Sequence, residues 1–139
     1  MTAQYSETLF LNEKSVSLCT EPLQDYLDSM KNPPEFIADS TACSRGYRGV
    51  WVIHNQELFL KEITEYLVED KTFHWRDLFD GRTGDIKADW YSGILRIPQG
   101  ELLQYVHAGY ASTNQQDLFI TIDKGNVIKE EVVTNLVDK

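Results

Sequence analysis

The sequence predicts an α+β fold: mainly antiparallel β-hairpins forming a curved sheet or a partly closed barrel, with two or three short helices. Three observations carry that expectation. The chain has 139 residues, 42% apolar and 12% aromatic, a size at which one domain buries about 68–70% of its unfolded surface and needs no disulfide scaffold. Residues 1–139 are therefore read as a single globular domain. Apolar residues with four positions between them recur at Leu11 and Val16, Ile53 and Leu58, Ile97 and Leu102, and Ile122 and Val127, the spacing of two strand ends around a two-residue turn. Finally, Tyr47-Arg48-Gly49-Val50-Trp51-Val52-Ile53-His54-Asn55-Gln56-Glu57-Leu58-Phe59 lies over Tyr91-Ser92-Gly93-Ile94-Leu95-Arg96-Ile97-Pro98-Gln99-Gly100-Glu101-Leu102-Leu103 at a constant offset of 44. Two such copies are too few for a propeller or solenoid, so they are read as one hairpin module used twice.

In chain order, Leu9-Phe10-Leu11 and Val16-Ser17-Leu18 read as strands of a hairpin centred on Glu13-Lys14. Thr20 is placed to cap a helix with Pro22 in its first turn, and Leu23, Tyr26, Leu27 and Met30 fall at the spacing of one buried face. Asn32-Pro33-Pro34 stops it, and the opposite face carries Glu21, Gln24, Asp25 and Asp28. The first module then turns at Asn55-Gln56. Ile63, Tyr66 and Leu67 suggest a short helix, and Thr72 is placed to cap another in which Trp75, Leu78 and Phe79 share a face before Gly81 ends it. Residues 81–85 are expected as a mobile loop. The second module is expected to turn at Gln99-Gly100 and to continue as strand over residues 102–110, with a polar loop at 111–116. Residues 117–134 form the last hairpin, centred on Lys124-Gly125.

Charge and reactive residues exclude several functions. With 22 acidic residues against 13 basic ones the net charge is −9, which opposes a general nucleic-acid binder. No apolar run approaches the roughly 18 residues of a membrane span, and residues 1–7 lack a basic start and an apolar stretch. The expectation is a cytoplasmic protein with neither a membrane nor a nucleic-acid partner. In that compartment Cys19 and Cys43 are expected as reduced thiols. No two of the two cysteines and three histidines lie at the short spacings of a structural zinc site, so no metal and no cofactor are implied.

Cys43-Ser44-Arg45-Gly46-Tyr47-Arg48 resembles the phosphate cradle of cysteine phosphatases, but four residues rather than five separate Cys43 from Arg48. Cys43 is better read as a small buried residue before a strand. Serine-nucleophile, phosphate-loop and zinc-protease motifs do not occur. Asp85 and Asp89 would meet on a helix, yet the apolar residues that follow them suit a strand. The expectation is a chain with no catalytic residue, not an enzyme.

The blocks Arg45-Gly46-Tyr47-Arg48-Gly49-Val50-Trp51-Val52-Ile53 and Ala88-Asp89-Trp90-Tyr91-Ser92-Gly93-Ile94-Leu95-Arg96-Ile97-Pro98, together 20 of 139 residues, resemble a group of small acidic bacterial proteins without an assigned activity. Some of these belong with toxin systems, where small acidic proteins act as immunity partners. The resemblance transfers no functional residue. Joined to the elimination above, it implies a non-enzymatic protein-binding module, an immunity-type inhibitor neutralising a basic bacterial toxin such as a nuclease. Residues 1–40 hold seven acids and two bases, −5 of the −9, so Glu21, Asp25 and Asp28 are the expected partner contacts.

Gly49-Val50-Trp51 is also similar to the Gly-x-Trp that opens lipocalin barrels. That likeness implies an alternative, a small-ligand-binding β-barrel. Tyr47 and Tyr91, equivalent in the repeat, would line its pocket, with Arg48, Arg96 and His107 as polar anchors. Trp51 itself is read as ordinary core.

Overall fold

The computed structural model describes residues 6–37, 46–64, 66, 68–70, 72–104 and 113–135. The first hairpin forms as β1 (Glu7–Leu11) and β2 (Lys14–Leu18), but its turn sits on Asn12 and Glu13, one residue earlier than expected. Both turn residues have positive φ, 51° and 68°, the backbone twist that matches paired strands. Asn tolerates that region better than Lys does, which moves the turn back by one position. Leu9 therefore faces Val16.

Helix α1 (Pro22–Ser29) buries Leu23 and Leu27, as the periodicity predicts, and begins on its proline. Thr20 does not cap it. The N-cap is Glu21, without a side-chain capping bond, while Thr20 Oγ1 accepts the Arg96 N–H at 2.9 Å. The chain returns in β3 (Arg48–His54), which runs parallel to β1, and β3 turns at Asn55-Gln56 into β4 (Glu57–Thr64) as expected.

Ile63 is a buried strand residue rather than the start of a helix, because β4 continues against β3 through Thr64. The next helical element is a short 3-10 helix (Trp75–Phe79). It is opened by His74, whose Nδ1 accepts the Arg76 N–H while its own N–H donates to Asp77. Thr72 instead bonds Asp70. Asp80 and Gly81 end the turn at φ 56° and 72°, and the Arg76 guanidinium holds the following loop by donating to the Arg82 and Gly84 carbonyls. Among the described residues, one α-helix and one 3-10 helix thus stand where two or three short helices were expected.

β5 (Ile86–Lys87) adds to β4, and the chain ends in a meander of β6 (Gly93–Gln104), β7 (Thr113–Asp123) and β8 (Asn126–Thr134). Here the repeat misleads. β6 does not turn at Gln99-Gly100 but runs through it, Gly100 taking φ 77° where the pairing with β7 becomes irregular. Residues 113–116, expected as loop, are strand, since their backbone completes the ladder to β6 whatever their polar side chains face. Residues 105–112 lie outside the described part. The final hairpin turns at Lys124-Gly125 as expected.

The strand order is β2-β1-β3-β4-β8-β7-β6, and the sheet is mixed and does not close into a barrel. Its two ends approach where Cys19 N–H, just past β2, donates to the Arg96 carbonyl on β6 at 2.9 Å. β4 and β8 share a single ladder pair, Glu57 with Asn126. Around it Leu58 N–H donates to Gly125, Val127 N–H to Gln56, and Lys87 Nζ to both Glu57 (2.7 Å) and Asn126 (3.0 Å). Two half-sheets therefore meet at their turns.

Leu9, Trp51 and Leu60 from one half and Leu95, Ile97, Ile120 and Ile122 from the other enclose the core with α1 and the 3-10 helix. Tyr26 packs on Phe79 and Trp90, and the hydroxyl of Tyr26 and the indole N–H of Trp90 donate to the Leu78 and Pro22 carbonyls. Such bonds let amphipathic aromatics be buried without losing a polar partner.

Two acidic side chains are buried among the described residues, Asp117 and Glu7. Glu7, 1% exposed, shares a strand face with Leu9, and its carboxylate accepts the Gly49 N–H at 2.7 Å and the Trp51 indole N–H at 3.2 Å. It thereby ties β1 to β3.

Candidate functional site

After α1 the chain extends through the Pro33-Pro34 pair and lays Phe36 on Tyr47, ring centroids 5.1 Å apart. Gly46, at φ 78°, permits this approach: a Cβ there would stand 2.8 Å from the Ile37 carbonyl oxygen. Phe36 also meets Phe73 and Tyr66 edge-on, and Tyr66 is fixed by accepting the Trp75 N–H on its hydroxyl. Four rings from four chain segments thus form one aromatic layer.

Above this layer lies a cleft of about 500 Å³, floored by Phe36, Phe73 and Val68 and edged by Glu35, Glu69 and Asp70. A second groove of about 390 Å³ shares Pro34, Glu35 and Phe36 and continues to Tyr47 and to Asp28 of α1. Among the described residues, neither is lined by Lys or Arg. The four carboxylates are all exposed. Thr72 donates its hydroxyl and its N–H to Asp70, holding that carboxyl below its ordinary value, so it stays charged in mild acid. Exposed carboxylates over aromatic faces suit a cation with a planar or aliphatic stem, such as an arginine or lysine side chain.

Of the residues expected to contact a partner, Asp28 reaches this region and accepts Gln24 Nε2. Asp25 is exposed on α1, and Glu21 stands half-buried at its start. Those expected to line a ligand pocket are dispersed. Tyr47 is buried beside the second groove, its hydroxyl donating to Gln24 Oε1. Arg48 donates to the Ser6 carbonyl. Tyr91 is buried over Gly93, and Arg96 pairs with the buried Asp117 at 3.0 Å. His107 and Cys43 lie outside the described residues. Cys19 is partly enclosed, and burial pushes its thiol up, with Arg96 opposing in part.

Glu35, Glu69, Asp70, Phe36 and Phe73 escape sequence reasoning. Their signal is acid beside aromatic at two loops, in Pro34-Glu35-Phe36 and in Glu69-Asp70 shortly before Phe73, but nothing in a linear reading brings those loops together. Among the described residues, no group of three His, Cys, Asp or Glu side chains could hold a metal ion, and no helix is long and apolar enough to cross a membrane. No protein-family model matches the chain, and no curated protein or solved structure matches it.

Proposed function

We propose that this chain is a non-enzymatic protein-binding module whose acidic, aromatic-floored cleft receives basic side chains of a partner. In its most concrete form it is an immunity-type inhibitor that neutralises a basic bacterial toxin. The observation that supports the reading is the convergence of Glu35, Glu69 and Asp70 over Phe36 and Phe73, with no lining cation among the described residues, in a chain of net charge −9. A basic surface is drawn to such a face at long range, and the rings offer its side chains apolar contact at short range. Asp28 extends the acidic surface onto α1, which keeps the acidic helix face at the rim of the interface rather than its centre.

The test is calorimetric titration of arginine-rich and lysine-rich peptides, with an acidic peptide as control, into the parent and into the triple variant E35Q/E69Q/D70N. With three exposed charges removed, the variant should bind basic peptides about tenfold more weakly and show a flatter salt dependence. Absence of saturable binding to the parent, or equal binding by both proteins, would refute the reading.

A further inference from the structure

β8 pairs with β7 along its length but meets β4 only at Asn126. Among the described residues, no strand pairs with its second edge from residue 128 onward. The Asn135 N–H donates to the Gln115 carbonyl at 2.9 Å, and this fixes the phase of the ladder. Lys129, Glu131 and Val133 exchange bonds with β7, so the N–H and C=O groups of Glu130, Val132 and Thr134 point away from it. No described residue pairs with them.

The side chains are equally uncovered: Ile128 is 63% exposed, Val132 54% and Val133 37%. Natural edges are blunted by charged side chains, proline, bulges or covering elements; Lys129, Glu130 and Glu131 place charge on the first part of this edge, and Val132, Val133 and Thr134 carry none. Here the single register shift lies between Thr121 and Ile122, at the turn end of the hairpin, and leaves 129–134 regular.

We infer that this edge pairs with the same edge of a second copy, antiparallel across a two-fold axis through Val132. Groups that point outward must meet groups that point outward, so even-numbered residues pair with even-numbered ones. An axis through Glu130 or Glu131 sets that glutamate against itself, and directly opposed like charges destabilise a sheet. An axis through Val133 leaves only residues 132–134 of β8 in the overlap. The axis through Val132 pairs 130–134 and opposes Val132 with Val132, Glu131 with Val133 and Glu130 with Thr134, with no like charges facing.

The contact is isologous and closes at two subunits. It joins two meanders into one sheet of six strands by the main-chain bonding of strand addition. The cleft residues take no part, so this inference stands apart from the proposed function.

Sedimentation velocity of the full chain over a concentration series tests it at low and high salt. The parent should show a monomer–dimer equilibrium that strengthens with salt, because each copy carries −9. V132K sets two cations face to face and should give monomer with an unchanged melting curve, as the position is exposed. T134K meets Glu130 of the other copy twice and should lower the dimer Kd about fivefold, the value of two exposed ion pairs. A parent that is monomeric at every concentration, including one that instead takes up an extended peptide at β8, would overturn the inference. So would a dimer indifferent to V132K, or T134K that fails to tighten it.

Discussion

A methyl group added at Gly49 would stand 2.6 Å from Glu7 Oε1 and 2.7 Å from Trp51 Nε1. Both neighbours are enclosed, at 1% and 0% exposure, so neither can swing into solvent. Gly49 does not have positive φ; space, not backbone freedom, requires glycine here. In Gly49→Ala the carboxylate must leave the Gly49 N–H, which it accepts at 2.7 Å, or the indole must turn within a filled core. Overpacking of this kind costs about 1–3 kcal/mol, and weakening a hydrogen bond to a buried charged group adds about 1–2 kcal/mol. The sum is about 3 kcal/mol, a large part of the roughly 5–15 kcal/mol that holds such a domain folded. Each kcal/mol is worth about 3–5 °C at this chain length, so Tm should fall by about 10 °C. Urea unfolding followed by tryptophan fluorescence reads the change. A cycle with Trp51→Phe, which removes Nε1, should show a coupling of at least about 0.5 kcal/mol. Loss of less than about 0.5 kcal/mol in Gly49→Ala, or strict additivity in the cycle, would refute the close-packing argument.

Two further outcomes concern Tyr91 and the turn after β3. Burial, aided by the Asp25 carboxylate, pushes the Tyr91 hydroxyl from 10.0 up to about 12. The unfolded chain ionises first, so the contribution is intact below about pH 10 and is lost as pH rises toward 12, by about 2–3 kcal/mol at 1.36 kcal/mol per unit. Tyr91→Phe should flatten that part of the stability curve; urea midpoints of parent and variant that stay parallel from pH 9 to 11 would contradict this. Gln56 sits exposed at φ 64°, beside Asn55 at 50°. Gln56→Gly relieves the left-handed strain and should raise stability by about 0.5–1 kcal/mol, whereas an unchanged or lower urea midpoint would not fit.

The hairpins β3–β4 and β7–β8 were legible because each is local: a turn, two flanking apolar residues and a register that follows from them. β1–β2 was legible as a hairpin but not in its register, because its turn sits one residue earlier, on Asn12 and Glu13. The repeat was a true signal read too far. Gly49 crowds against Trp51 and Glu7, and Gly93 against the Tyr91 hydroxyl, where a Cβ would be 2.7 Å away. The two copies share a glycine packed under an aromatic side chain, and only the first continues into a turn. Glu7 lies on the Leu9 face of its strand, so its parity pointed inward, but a charge at that position reads as solvent-facing until its donors on β3 are known. The parallel pairing of β1 with β3 spans α1, and no local pattern encodes it. The acidic cleft was illegible for a similar reason: Glu35 and Glu69 come together only through the ring contacts of Phe36, Phe73 and Tyr66.

The seam between β4 and β8 has a kinetic meaning. Glu57 and Asn126 are 126 − 57 = 69 positions apart, while the ladders of β3–β4 and of β6–β7–β8 join strands adjacent in sequence. Local ladders close first, and contacts across long separations come late because the chain entropy they cost is spent before they return anything. On that ground the joining of the two half-sheets, at Lys87, Glu57 and Asn126 and likewise at Cys19, Thr20 and Arg96, is expected to come late in folding. Substitutions there act on the lifetime of the native state and leave the rate of its formation nearly untouched.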